Sequence, residues 1–418
     1  MNSTNQLPFL AIQEAEKGLL NLKKQGLSRA HKVAQSACDT TQMFNGQRYK
    51  TFCSNDYLGL ANHPEVIQAA QEALSRYGVG SGASHLISGH QEPHEKLAHR
   101  LADFQRAHIP HVQTLNFSSG YMANLGVITA ICSLSNSTQA SPKELTSIYS
   151  ARLNHASIVD GIRLASKEST VKLTIFEVEE LQALENALQS DTSKHKLIVC
   201  DGVFSMDGNL SPVDRLLDLA VRYDSLLLID DAHGFGVLGD QGHGILEHMK
   251  LCSERLLYIG TLGKAAGVMG AFVCAHQTLI DWVFQKSRPY IYTTASPPSL
   301  AMATLKSLDI IEGPEGQQKR AHLHELILYW QTHLQLQHWH ALQSSTPIQP
   351  LVVGHTPLCV LIDQELQALG ILIPAIRPPT VPKGSARLRV TLSAKHSLQD
   401  IQALIEVVMR LEAKFISS

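Results

Sequence analysis

Lys196-Leu-Ile-Val-Cys-Asp201 and Leu226-Leu-Leu-Ile-Asp230 are two short apolar runs, each ending in an acid. Between them lies Ser211-Pro-Val-Asp-Arg-Leu-Leu-Asp-Leu-Ala-Val221. Ser211 is a candidate cap, Pro212 fits a first turn, and Asp214 completes a capping pattern. Val213, Leu216, Leu217, Ala220 and Val221 recur at helical spacing, which predicts one apolar face. Strand, helix, strand at this spacing implies a right-handed parallel crossover. Leu256-Leu-Tyr-Ile-Gly260 and Ala271-Phe-Val-Cys274 are two further strand-like runs. The fold expected is therefore α/β. Ligands on such sheets sit beyond the carboxyl ends of the strands, so topology alone puts Asp201 and Asp230 at a candidate site.

Outward from this centre, residues 1–50 read as an N-terminal helix and arm. Leu10, Ile12, Ala15, Leu19, Leu20 and Leu22 have near-helical spacing, and Asn45-Gly46 marks a turn. Residues 51–295 form the expected large domain. Thr293-Thr-Ala-Ser-Pro-Pro298 reads as a connection to a smaller α+β domain over 296–418, with strand-like runs at 351–353 and 358–362. Ser397 and Asp400 are placed to cap a final helix that carries Ile401, Leu404, Ile405, Val408 and Leu411 on one face.

The composition narrows the function classes. Of 418 residues, 44% are hydrophobic and 17% charged, which excludes a mainly disordered chain and a small stapled scaffold. Lys and Arg number 35 against 37 Asp and Glu, a formal net charge of −2 that gives no global pull toward nucleic acid or an anionic membrane. Seven scattered cysteines without a C-x-x-C imply reduced thiols in a cytoplasmic protein. No apolar run approaches the ~18 residues of a membrane span, and no targeting segment is expected. The 21 histidines invite a metal reading. In His90-Gln-Glu-Pro-His94, however, the Glu is displaced from its place in H-E-x-x-H and Pro93 intrudes, so no metal is expected. His94, His99, His108 and His111 are expected on the surface or in helices.

Three segments carry chemistry. Lys264 follows a strand in Thr261-Leu-Gly-Lys264, where burial can lower its pKa and free a neutral amine for covalent catalysis. Asp230, in Asp230-Asp-Ala-His233-Gly, can pair with a protonated pyridine nitrogen, and His233 can reach a phenolic oxygen. Ser118-Ser-Gly120 opens a helix in the stretch Asn116 to Asn124, leaving free N–H groups suited to a phosphate, to which Thr261 can add a hydroxyl. Gly234-Phe-Gly-Val-Leu-Gly239 matches G-x-G-x-x-G but does not open a helix directly off a strand, so it is set aside. Ser205 lacks the G-x-S-x-G context of a hydrolase nucleophile.

Together with Ser54-Asn-Asp-Tyr-Leu-Gly-Leu60, Gly78-Val-Gly-Ser-Gly82, Leu153-Asn-His-Ala-Ser157, Asp201-Gly-Val-Phe-Ser-Met-Asp-Gly208 and Ala386-Arg-Leu-Arg389, these segments run in order through nearly the whole chain. The set resembles the α-oxoamine synthases, a branch of the fold-type I pyridoxal-phosphate (PLP) enzymes. That resemblance implies a large domain with a mostly parallel seven-stranded sheet and a smaller C-terminal α+β domain. It implies PLP held by Lys264 as a Schiff base, Asp230 on the ring nitrogen, and His233 and Ser205 near the phenolic oxygen. His155 would lie over the ring as a catalytic and substrate-facing residue. The amides of Gly120 and Tyr121, with Thr261, would bind the phosphate. Thr293 or Thr294 would reach the phosphate of a neighbouring subunit, which implies a homodimer. Arg389, assisted by Asn55, would hold the amino-acid carboxylate, and Arg29, Arg377 and Thr380 would face the acyl substrate. Ala375-Ile-Arg-Pro-Pro-Thr-Val-Pro382 resembles the members that join L-alanine to pimeloyl-CoA or a pimeloyl carrier protein with loss of CO₂. The alternative within the family is condensation of glycine with acetyl-CoA. Lys264 argues against a non-catalytic partner subunit.

Overall fold

The computed structural model describes residues 9–25, 27–136, 145–168 and 170–416. The first helix, Leu10–Lys24, buries no residue, and Leu19, Leu20 and Leu22 stay exposed. Strands β1 (Thr41–Phe44) and β2 (Gln47–Thr51) form a hairpin. Its turn is Asn45-Gly46, at φ of 50° and 77°. Positive φ at both central residues matches the twist of the flanking strands, and Asn and Gly tolerate it best.

Seven strands build the central sheet: β3 (Val112–Phe117), β4 (Thr146–Ala151), β5 (Val171–Phe176), β6 (His195–Asp201), β7 (Leu226–Asp230), β8 (Leu256–Thr261) and β9 (Ala271–His276). Their spatial order is β3-β9-β8-β7-β6-β4-β5. Only β9 runs against the rest, so the sheet is mostly parallel, as expected. The middle strands are covered on both faces. Leu227 and Ile229 join one apolar cluster and Leu228 the other, which is why these strands read as unbroken apolar runs.

The crossover helix is Val213–Arg222, with Val213, Leu216, Leu217, Leu219 and Ala220 buried. Two local expectations fail here. Val221 is 54% exposed, its place on the inner face being taken by Leu219. Ser211 does not cap the helix. Its N–H is bonded to the Gly202 carbonyl at 2.9 Å, which ties it to the end of β6, and Pro212 takes the cap position.

Strands β10 (His340–Ala341), β11 (Ile348–Gly354), β13 (Ala375–Ile376) and β14 (Ala386–Thr391) form an antiparallel C-terminal sheet in the order β10-β11-β14-β13. The remaining strand, β12 (Ile371–Leu372), pairs in parallel with β2 and so ties the N-terminal arm to this region. Residues 358–362 are not a strand. They lie in the helix Thr356–Ala368, whose buried Cys359, Ile362 and Leu366 follow helical spacing. The helix Pro298–Glu312 packs on Pro64–Tyr77 and Glu92–Gln105 as well as on Pro314–His333. In the final helix, Leu398–Ile416, the capping box closes as read. Asp400 N–H donates to Ser397 Oγ at 3.1 Å, and Ser397 N–H to Asp400 Oδ2 at 2.9 Å. Its five apolar residues named above are all buried, each worth about 1.5–3 kcal/mol in removed apolar surface. No helix among the described residues is long and apolar enough to cross a membrane.

Candidate active site

Parallel strands β6, β7 and β8 end side by side, with Asp201 opposite Asp230 in register. A cavity of about 190 Å³ opens over these ends. It is lined by Gly120, Tyr121, His155, Asp201, Ser205, Asp230, His233, Thr261 and Lys264, nine side chains and turns expected from the sequence, and also by Ser157. The topology supplies the convergence. β6 delivers Asp201, β7 delivers Asp230 and the turn to His233, and β8 delivers Thr261 and the turn to Lys264.

Asp230 is 7% exposed and fully engaged. Its Oδ2 accepts from Asn124 Nδ2 at 2.6 Å and its Oδ1 from Ala232 N–H at 3.0 Å. Asn124 Nδ2 also donates to Ser157 Oγ at 2.9 Å, and Ser157 Oγ lies 2.7 Å from His155 Nδ1. One polar chain thus fixes both the acid at the floor and the imidazole at the mouth. Burial lowers the pKa of His155, against a counter-pull from the Asp230 charge and with a smaller push from Lys264, so the neutral ring is favoured.

Lys264 Nζ lies 2.9 Å from His233 Nε2. Burial depresses the Lys264 amine to about 8, against a partial counter-pull from Asp230. His233 is held well below its ordinary pKa by burial first and by the Lys264 charge second. Its Nδ1 lies 2.5 Å from the Tyr57 hydroxyl, 176 residues away in sequence. Asp201 is 3% exposed. Its Oδ2 accepts from His155 N–H at 3.1 Å, and its Oδ1 is buried with no partner among the described residues. Burial, then the Asp230 charge, holds this carboxyl well above the ordinary range.

Arg389 comes from β14 and is 6% exposed. Its Nε donates to the Ser205 carbonyl at 2.6 Å, and its Nη1 donates to Asn55 Oδ1 at 3.3 Å and Thr391 Oγ1 at 3.1 Å. Arg389 and Asn55 therefore meet, as expected, on the Ser205 side of the cavity. Also on the cavity wall, Gly120 opens the helix Gly120–Cys132. Ser119 Oγ accepts from Met122 N–H at 3.3 Å, which leaves the Gly120 and Tyr121 amides for a ligand. A Cβ on Gly120 would meet nothing within 4 Å, so this helix end faces open space. Thr261 Oγ1 stands beside it, donating to the Gly270 carbonyl at 3.1 Å.

A second cavity, about 1070 Å³, brings Arg29, Arg377 and Thr380 together between the first helix and the 375–380 segment, with Leu19, Leu20 and Leu22 on its wall. Gly26, just before Arg29, lies outside the described residues. Thr293 and Thr294 do not line the Lys264 cavity of their own chain; Thr294 bridges Ser84 instead. The Gly78–Gly82 loop does not line it either, and Ser81 Oγ donates to the Ser296 carbonyl at 2.7 Å.

Of the histidines expected on the surface or in helices, His94 and His99 lie in the helix Glu92–Gln105, and His108 departs, being buried outside any helix. His94 and His108 are each bonded to a backbone carbonyl of a distant segment. His85, His90 and His94 cluster, with His85 Nδ1 2.9 Å from His90 Nδ1. Both ring nitrogens of His94 are already used. Nδ1 accepts from Gln91 N–H at 3.0 Å, and Nε2–H donates to the Ser296 carbonyl at 2.8 Å. His90 is likewise held by Glu95 at 2.9 Å.

Three site residues carry no local signal. Tyr57 and Asn124 sit inside segments whose sequence stood out, yet their partners are 176 and 106 residues away. Ser157 matters only as the link between Asn124 and His155.

The donor set fits PLP. A carboxylate anchored by two hydrogen bonds stands where a pyridinium needs one, an amine of depressed pKa stands for the aldehyde, and an open helix end stands for the phosphate. The sequence pattern of the class I and II aminotransferases matches residues 49–408. The chain is 48% identical over 401 residues to the 8-amino-7-oxononanoate synthase of Janthinobacterium sp. (strain Marseille), covering 96% of this chain and 98% of that one. It is 49% identical over 391 residues to the enzyme of the same name from Cupriavidus necator, covering 91% and 93%. Among solved structures, serine palmitoyltransferase from S. paucimobilis superposes with a TM-score of 0.84 at 24% identity, covering 98% and 99% of the two chains, a likeness of fold. The 8-amino-7-oxononanoate synthase of Francisella tularensis superposes with a TM-score of 0.70 at 27% identity, covering 88% and 98%. On the pattern match and these identities, the chain belongs to the 8-amino-7-oxononanoate synthase family of PLP-dependent acyltransferases.

Proposed function

We propose that this protein condenses L-alanine with the thioester carbonyl of a pimeloyl group, carried on CoA or on a carrier protein, to give 8-amino-7-oxononanoate and CO₂. The observation that carries the reading is that Lys264 and Asp230 line one cavity at the strand ends, with Arg389 bonded to the carbonyl of Ser205 in its wall. When bound there, PLP supplies the electron sink for negative charge that develops at the alanine Cα. The residues of the chain do the rest. The Arg389 guanidinium forks onto the alanine carboxylate, with Asn55 fixing its outer nitrogen. Asp230 keeps a proton on the ring nitrogen, and Asn124 and Ala232 N–H keep Asp230 in place. Gly120, Tyr121 and Thr261 hold the phosphate. His233 and Ser205 face the phenolic oxygen, and His155 closes the upper face, its Nδ1 engaged by Ser157.

Lys264 Nζ takes the proton from Cα. The new C–C bond then forms at the thioester carbonyl, and the C–S bond breaks to release the thiolate. The alanine carboxyl leaves as CO₂, and Lys264 returns a proton to Cα. A pKa of about 8 serves both directions of proton transfer near neutral pH.

The acyl chain is assigned to the larger cavity. Leu19, Leu20 and Leu22 supply an apolar wall, while Arg29, Arg377 and Thr380 supply polar groups for a chain that ends in a carboxylate. Thr293 and Thr294 serve the phosphate of a second subunit in a homodimer, which accords with their position outside their own chain's cavity. The protein works in the cytoplasm, without nucleic acid, membrane or metal as partner.

The experiment that tests the substrates compares alanine plus pimeloyl-CoA with glycine plus acetyl-CoA, following thiol release. The first pair is expected to win by at least tenfold in kcat/KM, because the acyl cavity is far larger than an acetyl group requires. Preference for the second pair would overturn the substrate assignment and keep the family. Arg389→Lys retains the charge but loses the planar fork. It is expected to raise the KM for alanine by about tenfold to a hundredfold, with the KM for pimeloyl-CoA changed much less. Equal effects on both substrates would place Arg389 elsewhere.

A further inference from the structure

We propose that Tyr57 is a positioning residue: its hydroxyl turns the His233 imidazole so that Nε2–H faces the cofactor cavity, and it ties that imidazole to the carboxylate-binding Arg389. The inference rests on the reading of Lys264 and His233 as cofactor-facing groups.

His233 is 8% exposed and has one neighbour at each ring nitrogen, Tyr57 Oη at 2.5 Å from Nδ1 and Lys264 Nζ at 2.9 Å from Nε2. A neutral imidazole carries its proton on one nitrogen only, and the partner of the other decides which. Tyr57 is fully buried, and burial pushes its phenol up to about 12, so the hydroxyl keeps its proton. That proton has two acceptors within reach, His233 Nδ1 at 2.5 Å and Asn55 Oδ1 at 3.2 Å. The shorter contact favours the imidazole. Asn55 Oδ1 is already supplied by Arg389 Nη1 at 3.3 Å. With Tyr57 donating to Nδ1, the His233 proton sits on Nε2 and points into the cavity.

While Lys264 is a free ammonium it competes for Nε2. Once its amine is given to the cofactor, that competition ends and Tyr57 alone fixes the tautomer. The same hydroxyl reaches the carboxylate-binding group through Asn55, whose Oδ1 lies 3.2 Å from it and accepts from Arg389 Nη1 at 3.3 Å. Occupation of the carboxylate site and orientation of His233 are thereby coupled through the Asn55 amide oxygen and the Tyr57 hydroxyl.

The test uses the holoprotein with ¹⁵N-labelled histidine. Solid-state ¹⁵N spectra report the tautomer, and His233 is assigned by difference against His233→Gln. The wild type is expected to show Nε2–H. Tyr57→Phe keeps the ring and removes the donor, so it is expected to shift His233 to a mixture or to Nδ1–H. The variant is also expected to lower kcat about tenfold while the KM for alanine moves less than about threefold. An Nδ1–H tautomer in the wild-type holoprotein overturns the proposal, even if Tyr57→Phe does not fold. So does a folded Tyr57→Phe with unchanged tautomer and unchanged kcat. An Nε2–H tautomer that Tyr57→Phe removes, in a protein that ignores alanine and pimeloyl-CoA, supports the role of Tyr57 and overturns the substrate reading instead.

Discussion

Lys264→Ala is expected to abolish multiple turnover, with kcat reduced by at least about four orders of magnitude. The side chain lines the same cavity as the β7 acid and lies 2.9 Å from the His233 imidazole, and burial there sets its pKa of about 8. On the proposed mechanism, Lys264→Ala removes the group that moves the Cα proton and the covalent anchor of the cofactor together. The fold has no comparable need for the lysine, because Ala265 and Ala266 supply the buried contacts of the turn. The variant should therefore fold and unfold like the wild type, as read by circular dichroism. Its turnover should stay absent when PLP is in excess. Residual turnover above about 1% of wild type would assign the proton transfer to another group. The depressed pKa also has a sign that can be checked in the apo-protein. The neutral, nucleophilic form of Lys264 predominates only above about pH 8, so its reaction with an added aldehyde should slow about tenfold per unit below that pH.

Asp230→Ala should be nearly as damaging, about a thousandfold in kcat, with weaker retention of PLP. The carboxylate is buried and its two oxygens are held by Asn124 and by Ala232 N–H. Without it, no anion remains to keep a proton on the ring nitrogen, and the electron sink fails. Asp201, its register neighbour, cannot substitute, because burial, the larger cause of its raised pKa, still favours its neutral form once the Asp230 charge is gone. Asn124→Ala separates the charge of Asp230 from its orientation. It keeps the carboxylate but frees Oδ2, and a fall of about tenfold to a hundredfold is expected. Stopped-flow absorbance on alanine addition checks both variants. A wild-type rate in Asp230→Ala would remove the acid from the chemistry.

Much of the site is legible in the sequence because parallel-strand topology turns chain position into spatial position. An acid that ends an apolar run, such as Asp230, and a lysine that follows the next strand must lie near each other at one edge of the sheet. A glycine that opens a helix after a strand is legible for the same reason. The family resemblance added what strand order cannot supply, namely Arg389 from the C-terminal sheet and the roles of Arg29, Arg377 and Thr380. What stayed hidden depends on side chains that meet only after folding. Tyr57 stands in a segment that its motif marks, yet nothing local says that it will meet His233. Asn124 looks like one more polar residue on a mostly apolar helix until Asp230 arrives beneath it. The run at 358–362 reads as a strand and is a helix, because five apolar residues suit a buried strand and a buried helix alike. The helical spacing of Cys359, Ile362 and Leu366 settles it only when taken over a longer window.

The claim on which everything else depends is that Lys264 holds the cofactor in the cavity between Asp230 and the Gly120 helix end. Borohydride reduction of the PLP-loaded protein, followed by proteolysis and peptide mass mapping, tests it directly. The expected result is a single pyridoxyl adduct on the peptide containing Lys264, with loss of the visible absorbance band. A stoichiometric adduct on another lysine, or a pure protein that takes up no PLP at all, would contradict it.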